Sequence, residues 1–177
     1  MDAVTPEMVT VEDEDWFVAT LEPAALGVVL ASADHVRIEA ERTEQITDES
    51  SAAHLMNRCL AVLPGALPNA LGAILEDMQG IRAEDWAAEV YGDELDELLP
   101  AIDSVGQLLP LLSEPQLSCH AAPEGSDALG LGFGFVATWD TEHGTAAVVR
   151  VDAPGTTDQA VEVYEVGGAM ASFSPFE

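Results

Sequence analysis

The sequence predicts an α+β fold: an antiparallel sheet, formed by N-terminal strands and a C-terminal meander, with a helical layer from the middle of the chain packed on one face. Three observations predict it. Residues near the start and through the last third alternate apolar and polar side chains, the period of a half-buried strand. The middle third repeats its apolar residues every three to four positions, the period of a helix. The strand and helix blocks are segregated, and the turns of the last third are too short for parallel crossovers, which argues against a doubly wound sheet. A length of 177 residues fits a single domain, 1–177, divided into N-terminal strands (1–45), a helical segment (46–113) and C-terminal antiparallel strands (114–177). The hydrophobic fraction of 48% is ample for a core held without metal or disulfide.

Element by element, residues 16–21 (WFVATL) read as a strand rich in aromatic and β-branched side chains. Residues 27–31 (GVVLA) are a further strand candidate. From His35 to Glu41 the alternation is clean: Val36, Ile38 and Ala40 face inward, while His35, Arg37, Glu39 and Glu41 face water. Thr47 and Asp48 are helix N-cap candidates, and Leu55, Cys59, Val62 and Leu63 form the apolar stripe that follows. Pro64-Gly65 predicts the end of that helix, Pro68 the first turn of a second, and Gly80 its C-terminal cap. A third helix over 83–91 carries Trp86 and Val90 one turn apart, and shorter helices follow over 93–99 and 105–112, the last capped by Ser104.

The last third returns to strands over 116–121, 129–139, 145–151, 160–166 and 169–173. The most regular, 129–139, places Leu129, Leu131, Phe133, Phe135, Ala137 and Trp139 on one face. Gly130, Gly132 and Gly134 lie on the other, which predicts that a helix or a crossing strand packs closely there. Asp140 to Gly144 reads as a hairpin turn, with Gly144 free to take a positive φ.

Charge is the strongest global signal. The chain carries 33 Asp plus Glu against five cations, all arginine, for a net charge of −28. Such a surface repels nucleic acid and anionic lipid, and attracts basic proteins. It also serves solubility, including in a salty interior. Cys59 and Cys119 read as small buried hydrophobes rather than a disulfide framework. The N-terminal residues lack the basic and apolar regions of a signal peptide, no apolar run reaches transmembrane length, and a cytoplasmic location is expected.

No nucleophile elbow, P-loop or calcium loop is present. The glycines at 130, 132 and 134 lack the spacing and following helix of a dinucleotide fingerprint. The tightest group of acid/base or metal-ligand types is Asp140, Glu142 and His143, which motivates a metal-dependent hydrolase as the last-ranked reading; ordinary turn chemistry explains the same residues. No catalytic residue, cofactor, metal ligand or small-molecule ligand is expected. Acidic runs at Glu12, Asp13, Glu14 and Asp15, and at Asp93, Glu94, Asp96 and Glu97, are the candidate partner-binding residues; a solvated face is the alternative for each.

Residues 132–144 (GFGFVATWDTEHG), followed by a valine-rich strand and by 163–169 (VYEVGGA), resemble a family of small uncharacterised bacterial domains with a W-D-x-E-H-G hairpin and a V-x-x-V-G-G-A-like close. Residues 95–102 (LDELLPAI) resemble an upstream stretch of the same family, so the likeness spans most of the chain. The glycines of the main strand and the longer insertion over 152–159 depart from the pattern. The resemblance implies a non-catalytic protein of the immunity type found beside bacterial toxins, with Trp139, Asp140, Glu142, His143 and Gly144 as the motif turn. In that motif Trp139 would anchor in the core, Asp140 would bond the turn backbone and Gly144 would supply the positive φ. The expected function is therefore an acidic, non-enzymatic inhibitor of a basic toxin such as a nuclease. A nucleic-acid mimic and a solubility-adapted domain are the alternatives.

Overall fold

The computed structural model describes residues 3–12, 14–27, 34–168 and 174–176. Seven strands form one sheet in chain order: β1 (Thr10–Glu12), β2 (Trp16–Leu21), β3 (Val36–Glu41), β4 (Leu112–Ala121), β5 (Leu129–Ala137), β6 (Asp140–Asp152) and β7 (Ala160–Gly167). Every neighbouring pair is antiparallel except β3 and β4, which run parallel. The exception has a direct cause. The whole helical segment lies between those two strands, and a crossover that long returns the chain to the end of the sheet where β3 began. The α+β architecture is thus as expected, with a mostly antiparallel sheet.

The helical segment differs from the sequence reading. One helix, α1 (Glu49–Ala83), runs through Pro64, Pro68 and Gly80, where two helices were expected. Both prolines lie on its exposed side, one turn apart, so the carbonyls they leave without a donor sit where water can reach them. The buried stripe from Leu55 through Cys59, Val62, Ala66, Ala70 and Ile74 to Met78 passes the prolines unbroken and packs on the sheet. Burial of that stripe outweighs two missing backbone bonds. By length and hydropathy alone α1 could cross a membrane, but its apolar face is taken up by the sheet. Asp48 caps α1 as expected, its carboxylate accepting from the Ser51 N–H at 2.8 Å. Short helices α2 (Asp85–Tyr91), α3 (Leu95–Leu98) and α4 (Val105–Leu108) complete the crossover. Ser104 takes the N-cap position of α4, but its hydroxyl bonds the Gln107 side chain rather than the backbone.

The helix-covered face of the sheet holds Phe17, Ile38, Leu117, Leu131 and Phe133, with Phe135 and Trp139 also buried as expected. Cys59 and Cys119 are both free and fully buried, and burial pushes the Cys119 thiol well up. On the other face a Cβ at Gly130 would come within 2.6 Å of the Pro175 ring. At Gly130 the close approach is made by a C-terminal turn, not by the helix or crossing strand expected over all three glycines. Phe176 continues it, 5.5 Å from the Arg150 guanidinium.

Glu39, placed on the wet face, is only 4% exposed. The hairpin turn lies at Thr138–Trp139, and Asp140 already begins β6. The strand over 129–139 accordingly stops at Ala137. Of the strand expected over 27–31 only Gly27 is described, and it ends a 3-10 turn with φ 71°. The rest of that strand and the one over 169–173 lie outside the described residues.

Candidate functional site

The register places the two acidic candidate groups at opposite ends of the sheet. Glu12 pairs with Trp16 and Trp16 with Glu41, which puts the β1–β2 turn at the end where β3 finishes. Leu112 pairs with Ala137 and Ala137 with Asp140, which puts the β5–β6 turn at the end where β4 starts. Glu12, Glu14 and Asp15 are exposed at the first end; Asp13 lies outside the described residues. Glu14 holds φ 64°, and the Asp15 carbonyl accepts from the Arg42 N–H at 2.7 Å.

At the second end the tertiary structure joins two candidate groups that the sequence kept apart. Asp93 and Glu94 lie in the 3-10 turn after α2, and Asp96 and Glu97 on α3, all exposed. The Tyr91 hydroxyl, from the last residue of α2, donates to the Trp139 carbonyl at 3.0 Å. The Thr138 hydroxyl donates to the Leu98 carbonyl at 2.8 Å, and the Thr138 N–H to Leu111 at 3.1 Å. Burial, and then repulsion from Asp140, raise the Tyr91 phenol above its ordinary value. Arg82 clamps the acidic segment, donating to the Leu99 and Leu95 carbonyls and to Asp96 Oδ1 at 2.6 Å. Tyr91, Thr138 and Arg82 escape sequence reasoning because their contacts cross helix and sheet; the one local signal is a tyrosine just before the helix-breaking Gly92.

Within the motif, Trp139 is buried and its carbonyl is used, while Asp140 bonds the backbone of the residues that follow it in β6 rather than the hairpin turn: Oδ1 accepts the His143 N–H at 2.9 Å and lies 3.2 Å from the ring Nδ1. Residues 141–144 form a bulge, because Phe135 pairs with Thr145 while Ala137 pairs with Asp140. Gly144 takes φ 70°, and a Cβ there would sit 2.4 Å from the Phe135 carbonyl oxygen, so only glycine fits. A second irregularity in β4, between Ser113 and Gln116, gives Glu114 φ 48°. Between the two lies an open cleft of about 340 Å³, lined by Glu114, Gln116, Glu142, His143 and Gly144 among others. Among the described residues no three His, Cys, Asp or Glu side chains gather to hold a metal ion. The paired carboxylate and imidazole of Asp140 and His143 order the bulge.

Glu39 forms a separate polar group on the sheet face away from α1. Its carboxylate accepts from Gln116 Nε2 at 2.7 Å, Ser118 Oγ at 2.8 Å and Arg37 Nε at 3.2 Å. Arg37 also binds Glu12. Burial opposes the Arg37 charge, but hydrogen bonds and attraction from Glu12 and Glu39 outweigh it and hold its pKa above the ordinary value. A buried carboxylate satisfied on this scale orders the centre of the sheet.

Set against known proteins, residues 8–160 match the model of a family described as a domain of unknown function, DUF6985. No curated protein and no solved structure matches the chain.

Proposed function

The chain belongs to the DUF6985 family, a domain of unknown function, and from that premise we propose that it is a non-enzymatic acidic binding protein, an immunity-type inhibitor that covers the basic surface of a toxin such as a nuclease in the cytoplasm. The observation that supports this reading is how the chain uses its cations. Arg37 binds Glu12 and Glu39, and Arg82 binds Asp96 and two carbonyls. Arg58 donates to the Asp127 carbonyl at 2.9 Å, Arg42 stacks 4.9 Å over Phe17, and Arg150 pairs with Asp152. All five arginines are engaged within the fold, against 33 carboxylates. Among the described residues most of the carboxylates therefore face solvent without an arginine beside them. A nuclease that grips phosphate presents the complementary surface, and complementarity of this kind raises association rate and selects the partner.

The test is capture from a lysate of the native host on the immobilised chain at moderate and at high salt. A basic protein held at moderate salt, released at high salt and inhibited by the free chain is the expected result. Retention of no basic protein, or of one whose activity the chain leaves untouched, overturns the reading.

A further inference from the structure

We propose that the exposed face of α2, centred on Trp86 and Val90, is the contact surface for a cationic segment of a basic protein that carries aliphatic side chains among its arginines; the proposal rests on the binding reading above and locates its surface. Trp86 is 45% exposed and Val90 67%, which places them among the few large hydrophobic side chains left in solvent among the described residues. At a spacing of i and i+4 they lie side by side on one face of the helix.

This pair is not a core face lacking its partner. The adjoining side of α2, about 100° round the helix, is already packed: Ala87 is fully buried, and Tyr91 is half-buried and bonded to the Trp139 carbonyl. The apolar pair stands in an acidic surround. Glu84, Asp85 and Glu89 flank it, and Asp93, Glu94 and Glu97 follow within two turns, all exposed. Of the carboxylates in this stretch, Asp96 is the one bound to Arg82.

An exposed indole with carboxylates on its own helix and on the turn that follows has a defined chemistry of recognition. A guanidinium can stack on the ring while its N–H groups reach the acids, and Val90 supplies an aliphatic contact beside it. Tryptophan is also among the residue types enriched at binding hot spots. The surface is held in place before binding, since Arg82, Tyr91 and Thr138 tie the surrounding segment to α1 and to the β5–β6 turn. Little ordering cost then falls on association. Charge selects the occupant. A second copy brings the same −28, and nucleic acid and anionic lipid are repelled as well, so a basic protein segment is the one that fits.

The test uses the full chain and a labelled synthetic helical peptide of arginine and leucine, with affinity read by fluorescence anisotropy at physiological salt. Trp86→Ala should weaken binding about tenfold or more, as expected for a hot spot. Val90→Ala, at the more exposed position, should weaken it less but measurably, and guards against a folding defect in the first variant; thermal melts of both should match the parent. Glu124→Gln with Asp158→Asn, exposed in the β4–β5 and β6–β7 connections at the far end of the sheet, should leave affinity within about twofold, the loss expected from long-range charge alone. If the parent binds and both α2 variants bind equally well, the surface is wrong while the acidic-binder reading survives. If the parent does not bind the peptide, the α2 surface is overturned, and the lysate capture decides the acidic-binder reading separately.

Discussion

Thr145 carries a buried hydroxyl that no described residue satisfies. It pairs with Phe135 in the register, so its side chain shares the helix-covered face with the core. A hydroxyl buried without a partner costs about 1–3 kcal/mol. Thr145→Val keeps the shape and removes the polar atom, and should stabilise the fold by roughly 1 kcal/mol. The check is urea unfolding, where the midpoint should rise with the slope unchanged. An unchanged or lower midpoint would mean that the hydroxyl has a partner after all. At the same scale, Gly144 shows how one residue type can be required by backbone alone: φ 70° is as expected, but it serves a bulge rather than the turn.

At the scale of the element, α1 depends on its cap. The Asp48 carboxylate accepts the Ser51 N–H and hydroxyl while Ser51 reaches back to the Asp48 N–H, a closed capping box. Bonds from Ser51 hold the Asp48 carboxyl below its ordinary pKa. A folded-state pKa below the unfolded one contributes stability that is complete above the unfolded value and is lost as pH falls through the folded value. Asp77, also on α1, is pushed the other way by partial burial, so its contribution is lost as pH rises. Comparing parent with Asp48→Ala isolates the cap. The variant should melt lower at neutral pH, and the gap should narrow as acid takes the parent through the depressed carboxyl pKa. A gap that stays constant down to that range would show that the charge of the cap contributes nothing.

For the whole molecule the governing quantity is the charge of −28. Carboxylates that lack a cation repel one another, and salt relieves this over a Debye length of about 8 Å at physiological strength. If the charge serves a partner, the melting temperature of the isolated chain should rise at low salt and level off near physiological ionic strength. A rise continuing to molar salt would instead favour the solvation reading, in which the charge suits a salty interior. One melt series from low to molar salt separates the two.

Local pattern alone was enough to determine the segregation of strands and helices, the edges of β2, a cap at Thr47 or Asp48, the buried faces of β3 and β5, and the positive φ at Gly144. Each follows from side-chain period or from the conformational needs of one residue. The continuity of α1 was not legible, because Pro64, Gly65 and Pro68 signal a break locally, whereas the stripe that runs past them gains more by packing on five strands. Glu39 read as solvated because alternation reports which side of a strand a residue takes, not whether Gln116, Ser118 and Arg37 close over it. The candidate site divided in the same way. Its acids and its motif were visible as residue types. Only the tertiary structure separated Glu12, Glu14 and Asp15 from the rest by the length of the sheet, and joined Asp93 to Glu97 with Trp139 and Asp140 through Tyr91 and Thr138. Those contacts span 40 residues or more, and no local period records them.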